Sequence, residues 1–557
     1  MLGLPLPFMQ RGSHAQRLLC ASIKVQGVHG PCMAFMSPLP LNRRRTLLIG
    51  MGAGALLASP WRPLLANTPP KPMAAMGHAG DDMTAYSGPT ELAPLSSLPR
   101  HRPLKPLPRL ANRARRKQLF RSKLVAAPAN LKLGSLPPTR VFAYNHMTPG
   151  PLIELYEGDQ VEIDFYNRLP QPSTVHWHGL AIPADQDGAP QDFIPAGGHR
   201  RYHFTLPPGS AGTHWYHPHP HMMTAEQVYR GLAGAVIVRD RNDPLRHIPE
   251  QELFISDLKM AADGSIAPND REDWMNGREG QFILINGLHN PLITLVGTQR
   301  WRIWNACSAR YLKLSLGGLE FTQVATDGGL LAAPVRGLTE LLLAPAERAE
   351  IIVTAPSSGP SRIQLIAEPY DRGAMGRLAG LSQRRVLADI DVVHSTEATL
   401  EIPEVLRPIT ALGPPTAEHM VAFSDYVDLQ APPPSNPYER PQDMLFLVNG
   451  QAYDMERVDI EGRLGEVEEW TVINASAMGM EHPFHIHGGH FQVIERNFNG
   501  ETTPEPFLAW RDTINIKAGE SVTLRMRIDE PGLRMFHCHI LEHEDLGMMG
   551  NILVSPQ

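Results

Sequence analysis

Three stretches of the chain alternate apolar and polar residues with the two-residue period of a β-strand. They run from Gly158 to Asn167, from Gly297 to Asn305 and from Gly465 to Asn474. Alternation of this kind, closed by Gly and Asn, predicts a half-buried strand with a turn at each end. A similar short phrase stands before each of the three: Tyr144-Asn145, Asn286-Gly287 and Asn449-Gly450.

The spacing of these stretches predicts the domain organisation. Their terminal asparagines lie 138 and 169 residues apart, which is the size of a small domain. Internal repetition of this kind implies three related β-domains. We therefore predict an all-β protein with domains at residues 124–243, 244–395 and 396–557. The 53 Pro and 47 Gly among 557 residues agree with this prediction, because they suit many turns and few long helices.

Residues 1–66 are predicted to be a leader. Arg43, Arg44 and Arg45 stand before a short apolar stretch that ends near Ala66, and Met33 and Met36 are alternative start positions. The arginines resemble a twin-arginine signal, which implies the twin-arginine export machinery as a partner of the precursor and a periplasmic mature protein. The apolar stretch is shorter than the ~20 residues that a membrane span needs, so no stable membrane insertion is expected.

Residues 67–123 are rich in proline and are predicted to be a solvated tail or linker. Between Arg100 and Lys123 they hold ten Lys or Arg and no acidic residue. An alternative function for part of this segment is copper collection by a loose cluster of soft ligands, namely Met73, Met76, His78 and Met83. The formal charge of the whole chain is −6, so nucleic acid is not an expected partner.

Four His-x-His pairs carry the chemistry of the chain: His176 and His178, His217 and His219, His485 and His487, His537 and His539. Residues i and i+2 of a strand share a face, so each pair aims two imidazoles at one point. Eight imidazoles exceed the four ligands that satisfy zinc, which indicates a multinuclear metal centre. Two pairs lie in the first domain and two in the third, so we expect the centre at their interface. A single pair on its own would more readily be a pair of solvated or core histidines.

A second candidate site surrounds one of the four cysteines. One thiolate, two imidazoles and a thioether are the ligands of a blue-copper electron-transfer site. The candidate ligands here are His482, Cys538, His543 and Met548. Strand alternation turns the sulfur of Cys538 away from the imidazoles of His537 and His539. The peptide bonds from Cys538 to these two histidines therefore connect the candidate blue-copper site to the multinuclear centre. For Cys307 we predict the role of a small buried apolar residue.

These motifs resemble those of the multicopper oxidases, the family of laccases, ascorbate oxidase, bilirubin oxidase and the bacterial copper efflux oxidases. The resemblance covers residues 124–557 and implies three consecutive cupredoxin-like Greek-key β-barrel domains with four copper ions. It implies that His176 and His485 bind the type 2 copper and that Cys538 belongs to the type 1 site. The type 3 pair would be bound by His178, His217, His219, His487, His537 and His539.

The resemblance also implies an activity, in which a reductant gives up single electrons and four of them reduce dioxygen to two waters. Asp187 and Glu544 match the proton-donating carboxylates of the family, and the alternative is that they are surface acids in loops. Spacing alone would permit His219 to pair with His221. The family pattern places the pair just after an aromatic residue, here Tyr216, so His214, His221 and His490 are not expected to be ligands.

The sequence leaves the reductant open between phenolic compounds and a metal ion such as Cu(I). Residues 396–448 contain only Met420 and Met444, whereas copper efflux oxidases often carry a Met-rich insert in the third domain. Met478, Met480 and Glu481 stand just before His482, where they could dock Cu(I) or, as we favour from the sequence, line an apolar depression for a phenol. The remaining alternative function is a copper-binding, copper-tolerance protein without oxidase turnover.

Overall fold

Six β-sheets, arranged as three consecutive pairs, make up most of the part of the chain that the computed structural model describes. This part comprises residues 90–373, 383–394, 400–428, 430, 436 and 439–556. The predicted leader and the cluster of Met73, Met76, His78 and Met83 lie outside the described residues. No helix within them is long and apolar enough to cross a membrane. The all-β prediction is confirmed.

The first sheet pair, which we call the first domain, has four strands in the order β2-β1-β4-β5 and three in the order β3-β7-β6. A short helix, α1 (Thr224–Tyr229), lies between its last two strands. The strands are β1 (Leu119–Leu131), β2 (Thr139–Tyr144), β3 (Gly150–Tyr156), β4 (Gln160–Asn167), β5 (His199–Thr205), β6 (Gly212–Tyr216) and β7 (Gly234–Arg239).

The second domain has a seven-stranded sheet in the order β10-β9-β8-β12-β17-β14-β15 and a five-stranded sheet in the order β11-β19-β18-β13-β16. Its helix α2 (Arg271–Asn276) begins with a capping box made by Asp270 and Asp273. The strands are β8 (Glu250–Leu258), β9 (Phe282–Ile285), β10 (Leu288–His289), β11 (Leu292–Val296), β12 (Thr298–Asn305), β13 (Leu312–Ser315), β14 (Phe321–Thr326), β15 (Gly329–Leu338), β16 (Glu340–Leu343), β17 (Arg348–Thr354), β18 (Arg362–Glu368) and β19 (Arg385–Val393).

The third domain has a six-stranded sheet in the order β21-β20-β23-β28-β25-β26 and a five-stranded sheet in the order β22-β30-β29-β24-β27. A one-turn helix, α3 (Leu541–Asp545), follows β29. The strands are β20 (Ala417–Val427), β21 (Met444–Val448), β22 (Ile460–Arg463), β23 (Val467–Asn474), β24 (His482–Ile486), β25 (Phe491–Phe498), β26 (Glu501–Pro504), β27 (Thr513–Ile516), β28 (Glu520–Arg527), β29 (Gly532–Cys538) and β30 (Met549–Ser555).

The repeated stretches of the sequence form β4, β12 and β23, which occupy equivalent places in the three domains. Each pairs in parallel with the first long strand of its domain, β1, β8 or β20. The asparagine at the end of each strand is buried, and its side-chain amide donates to a carbonyl oxygen of the loop that follows, that of Gln171, Arg310 or Met480. The repetition of Asn167, Asn305 and Asn474 therefore has a physical cause, since a buried carbonyl needs a hydrogen-bond donor.

The strand β12 is more buried than the predicted half-buried strand. Its side chains Arg300 and Arg302, each 2% exposed, lie between the first and second domains. Both donate to the carboxylate of Glu350, and Arg302 also donates to the hydroxyl of Thr213 in the first domain. Polar residues that alternate with apolar ones thus face a neighbouring domain here, where an ion-pair network replaces solvent.

Residues 90–118 differ from the predicted solvated linker. They run along the second and first domains, and Leu98, Leu107 and Leu110 are buried there. The backbone of Leu104 donates to Leu292 in the second domain, and that of Leu110 donates to Leu152 in the first. Residues 119–123, which the sequence analysis also assigned to the linker, belong to β1. The prediction of a solvated linker relied on the proline-rich, basic composition of the segment. It overlooked the regularly placed leucines, which are the residues that pack against the two domains.

Candidate metal centre

The four histidine pairs lie side by side in two domains. In the first domain, the backbones of His176 and His217 exchange two hydrogen bonds of 2.7 and 3.1 Å. In the third domain, His485 on β24 is the register partner of His537 on β29. Each domain therefore presents two neighbouring pairs, and the domains bring all eight imidazoles together as expected from the sequence.

The eight imidazoles pack across the interface of the first and third domains. The rings of His176 and His487 stack with centroids 3.7 Å apart, and those of His178 and His485 stack at 3.8 Å. The Nε2 atom of His537 lies 3.2 Å from that of His219 and 3.1 Å from that of His487. Three groups have nitrogen atoms close enough to share a metal ion: His176 with His178 and His485; His178 with His217 and His539; His219 with His487 and His537.

The hydrogen bonds of these rings leave lone pairs directed at the shared space. The Nδ1–H groups of His176 and His485 donate to the backbone carbonyls of Asp187 and Asp512, at 3.0 and 2.9 Å. The Nδ1–H of His217 donates to the carbonyl of Pro218 at 2.9 Å. In all three histidines Nε2 is buried without a hydrogen-bond partner. A carbonyl on one ring nitrogen fixes the tautomer and leaves the other nitrogen free to bind a metal.

Seven of the eight imidazoles favour the neutral form that a metal requires. Burial is the largest cause that lowers the pKa of His485 and of six other rings, and the charges of neighbouring histidines lower it further. The pKa lies well below the ordinary value of 6.5 for His178, His217, His219, His487, His537 and His539. Neutral, buried imidazoles with unpartnered nitrogens fit a resident metal cluster.

The second group of converging atoms contains Cys538. Its sulfur lies 3.4 Å from Nδ1 of His482 and 3.9 Å from Nδ1 of His543, and these two nitrogens are 3.3 Å apart. The Nε2–H of His543 donates to the carbonyl of Met275 in the second domain, so Nδ1 carries the lone pair. Burial raises the pKa of the Cys538 thiol, so a metal ion that binds here displaces its proton.

Met548, the fourth predicted member of this group, is completely buried beside the other three. Its backbone carbonyl accepts from Cys538 at 3.1 Å, and its N–H donates to His543 at 3.0 Å. The ring of Phe446 stacks on His543 at 3.8 Å. One thiol, two imidazoles and a thioether in an apolar pocket form the donor set of a blue-copper site.

Asp187 and Glu544 are both buried next to the imidazole cluster. The Nδ1–H of His487 donates to Asp187 Oδ2 at 2.9 Å. The two carboxyl oxygens of Glu544 lie 3.4 Å from Nε2 of His219 and 3.3 Å from Nδ1 of His537. The alternative that these are surface acids in loops is wrong, since Asp187 is 2% exposed and Glu544, on α3, is 0% exposed.

Comparison with known proteins decides the family of this chain. The sequence profile of the multicopper oxidases matches residues 127–243 and 426–557. A multicopper oxidase from Staphylococcus haemolyticus is 31% identical over 424 residues, which are 75% of this chain and 84% of that protein. The chain belongs to the multicopper oxidases. It is an oxidoreductase of laccase type that contains copper and uses dioxygen, and its three domains are cupredoxin-like.

Two further relatives of the oxidase carry different descriptions, one as a laccase and one as a metallo-oxidase. A laccase from Bacillus subtilis is 30% identical over 477 residues, or 74% of this chain and 90% of that protein. The solved structure of a multicopper oxidase from Campylobacter jejuni, described as a metallo-oxidase, has 40% sequence identity to this chain and a TM-score of 0.79. The similarity to it covers 84% of this chain and 98% of that chain.

The loop before His482 does not place Met478, Met480 and Glu481 together as a site for Cu(I), which was one of the two alternatives from the sequence. Met480 is 0% exposed and belongs to the core of the third domain. Glu481 accepts hydrogen bonds from the hydroxyl of Tyr370 and from the amide of Asn515, so its carboxylate is occupied. Of the two thioethers, only that of Met478 is partly exposed.

The remaining histidines stay outside the groups of converging nitrogens in the described part of the oxidase. His214 donates from Nε2 to the carbonyl of Ser210 at 2.9 Å, and His221 packs against Tyr453. Cys307 lies in the core of the second domain, as predicted. Sequence reasoning missed Arg348 and the role of Asp512, which contacts His178 and His485. No motif of the sequence links Asp512 to an arginine in another domain.

Proposed function

We propose that the eight paired histidines bind three of the four copper ions and that the group around Cys538 binds the fourth. In this assignment His176 and His485 hold the type 2 copper, and the other six paired histidines hold the type 3 pair. His482, Cys538, His543 and Met548 hold the type 1 copper. One observation carries the proposal: the buried imidazoles of two domains converge with unpartnered nitrogens on one space, directly beside Cys538.

When bound, copper supplies single-electron transfer from the reductant and four-electron reduction of dioxygen to water. The chain supplies the connection between the sites, because peptide bonds join Cys538 to His537 on one side and to His539 on the other. Burial of the whole arrangement excludes bulk water, and backbone carbonyls that accept from Nδ1 fix the tautomers of His176, His217, His485 and His537. The alternative of a copper-binding protein without turnover has less support, since no member of either donor set is missing.

Asp187 and Glu544 are proposed to hold and deliver the protons that dioxygen reduction consumes. Each touches imidazoles of the cluster at hydrogen-bond or near hydrogen-bond distance. Burial and the neighbouring carboxyl of Asp545 raise the pKa of Glu544 well above its ordinary value, which favours the protonated form of this carboxyl. A buried acid that is protonated beside the reacting space can act as a proton donor.

We infer that the reductant is a metal ion such as Cu(I). The 40% identity with a metallo-oxidase over nearly the full length of that chain supports this inference over a phenol, which the sequence alone had favoured. Among the described residues, two partly exposed methionines, Met478 and Met275, pack against the core that holds the type 1 group, and a thioether is a soft ligand that suits Cu(I). Phenolic compounds remain the second candidate class, supported by the laccase relative.

Export to the periplasm by the twin-arginine machinery is also a proposal. Its support is the triplet Arg43, Arg44 and Arg45 before a short apolar stretch.

The assignment of ligands is tested with three single variants of the full chain. Cys538→Ser should abolish the blue absorption and oxygen uptake, because serine offers no thiolate. Cys307→Ser is the matched control, a change at another buried free cysteine, and should keep both. His487→Ala should keep a blue site that substrate can reduce but should stop oxygen uptake. A Cys538→Ser protein that stays blue, or a His487→Ala protein with full oxygen uptake, would contradict the assignment.

A further inference from the structure

The second domain contributes none of the converging nitrogen and sulfur atoms in the described part of the chain, yet one of its side chains reaches the imidazole cluster. Arg348 is the first residue of β17 and is 2% exposed. Its two terminal nitrogens donate to the two carboxylate oxygens of Asp512, in the third domain, at 2.7 and 2.6 Å. Its Nε donates to the carbonyl of Thr213, in the first domain, at 2.8 Å. This guanidinium therefore joins all three domains.

Asp512 in turn holds one histidine from each of the two domains that form the cluster. Its carboxylate accepts from Nε2 of His178 at 3.1 Å, and its backbone carbonyl accepts from Nδ1 of His485 at 2.9 Å. The rings of His178 and His485 stack at 3.8 Å with an interplanar angle of 11°. The hydroxyl of Thr513 donates to the Asp512 carboxylate at 2.8 Å and completes this arrangement. The Asp512 carboxylate thus orients His178 directly, and the stacking of the two rings couples its position to His485, which the Asp512 backbone holds.

The packing around this ion pair leaves it little freedom to move. Gly179 follows His178 directly and adopts a φ of +88°. A Cβ atom at this glycine would lie 2.6 Å from an Arg348 nitrogen and 2.7 Å from an Asp512 oxygen. The backbone at His178 therefore touches the ion pair itself, and a shift of the guanidinium would be transmitted to the ring.

We propose that Arg348 is a positioning residue through which the second domain fixes Asp512 and, by way of Asp512, the stacked imidazoles of His178 and His485. This proposal rests on the proposed function, in which His485 binds the type 2 copper and His178 binds one type 3 copper. A bidentate guanidinium holds a carboxylate in one plane, whereas the single ammonium of lysine does not.

The test compares Arg348→Lys with Arg302→Lys in the full-length, copper-loaded protein. Arg302 is an arginine of the same domain, is equally buried, pairs with Glu350 and also contacts Thr213, but it has no bond to Asp512. Both variants keep a buried positive charge and lose the planar fork. The measurements are the electron paramagnetic resonance spectrum of the type 2 copper, its retention during titration with a copper chelator, and the blue absorption.

We expect Arg348→Lys to keep the blue absorption, to change the hyperfine splitting of the type 2 signal and to weaken type 2 copper retention by about 10–100-fold, the usual effect of losing a partner of a metal ligand. Arg302→Lys should match the unmodified protein in all three measurements. Asp512→Asn, which keeps an acceptor for His178 but loses the ion pair, should reproduce the Arg348→Lys spectrum and decides the question if Arg348→Lys does not fold.

Two results would overturn the proposal. An Arg348→Lys protein with the type 2 spectrum and copper retention of the unmodified protein would show that the guanidinium does not position the imidazoles. Equal losses in Arg348→Lys and Arg302→Lys would show a general loosening of the domain interface instead. Failure of the proposed function looks different, since the unmodified protein would then itself lack a type 2 signal.

Discussion

Replacement of Asn474 by alanine tests whether the repeated asparagines stabilise the domains and whether this one also shapes the type 1 site. Asn474 is 0% exposed, and its amide donates to the carbonyls of Met480 and Ile516 at 2.8 and 2.9 Å. Its side-chain oxygen accepts from the N–H of Ser476 at 3.0 Å. Alanine removes all three bonds and leaves two buried carbonyls without a donor.

The expected loss of stability follows from these bonds. An unsatisfied buried polar group costs about 1–3 kcal/mol, so two buried carbonyls give a loss of about 2–6 kcal/mol in the free energy of unfolding. For a domain the size of the third, this corresponds to a fall of about 4–24 °C in its melting temperature. Scanning calorimetry of the full-length protein measures this change. A fall of less than about 2 °C would refute the reasoning.

Asn305→Ala is the matched control, because Asn305 makes the same two kinds of bond, to the carbonyls of Arg310 and Leu343. We expect a similar loss of stability in the second domain. The blue absorption should change in Asn474→Ala only, since Met480 stands two residues before His482. An equal change of the blue absorption in both variants would show that the effect is not local to this loop.

Three further results are expected. Met478→Leu should slow Cu(I) oxidation about tenfold and leave phenol oxidation unchanged; Met420→Leu, at an exposed methionine on β20, is the control, and unchanged Cu(I) oxidation in Met478→Leu would contradict a role for this thioether. Burial lowers the pKa of His214 and His482 to about 3 and that of His490 to about 4, from 6.5. At these three sites the unfolded chain therefore binds more protons below pH 6.5, and each site makes stability fall with pH from 6.5 towards 4 by about 1.4 kcal/mol per pH unit, while buried carboxyls of raised pKa such as Asp257 act in the opposite sense; in urea denaturation of the copper-free protein, His490→Asn should therefore lose less stability over this range than the unmodified protein, and an equal loss would contradict the sign. Replacing Arg43, Arg44 and Arg45 together by Lys should leave the precursor in the cytoplasm on cell fractionation, and normal periplasmic accumulation would indicate another export route.

The features that the sequence predicted well depend on short-range patterns. Period-2 alternation predicted β4 and β23, and the i, i+2 spacing of the histidines predicted shared faces, because both follow from the geometry of one extended segment. The convergence of the four pairs followed from a count, since two pairs in each of two domains supply more ligands than one domain can use. These inferences needed no knowledge of how the domains pack.

The features that the sequence did not predict depend on contacts between distant segments. The buried state of Arg300 and Arg302 arises from packing of the first domain against β12, which a polar position in an alternating strand does not reveal. Residues 90–118 lie against two domains although their composition is that of a solvated tail. The sequence did not predict the role of Arg348 for the same reason, because its partner Asp512 is 164 residues away in the chain.

The loop before His482 shows how a repeated structural residue limits the chemistry of a neighbouring site. Because Asn474 holds the carbonyl of Met480, the loop turns back into the third domain and the Met480 side chain packs in its core. Met480 is therefore withdrawn from any reductant, whereas Met478 is partly exposed. The Glu481 carboxylate is occupied by Tyr370 and Asn515, which ties the loop to the second domain as well. We therefore expect any contribution of this loop to selectivity for the reductant to come from Met478, rather than from the pair of thioethers that the sequence places together.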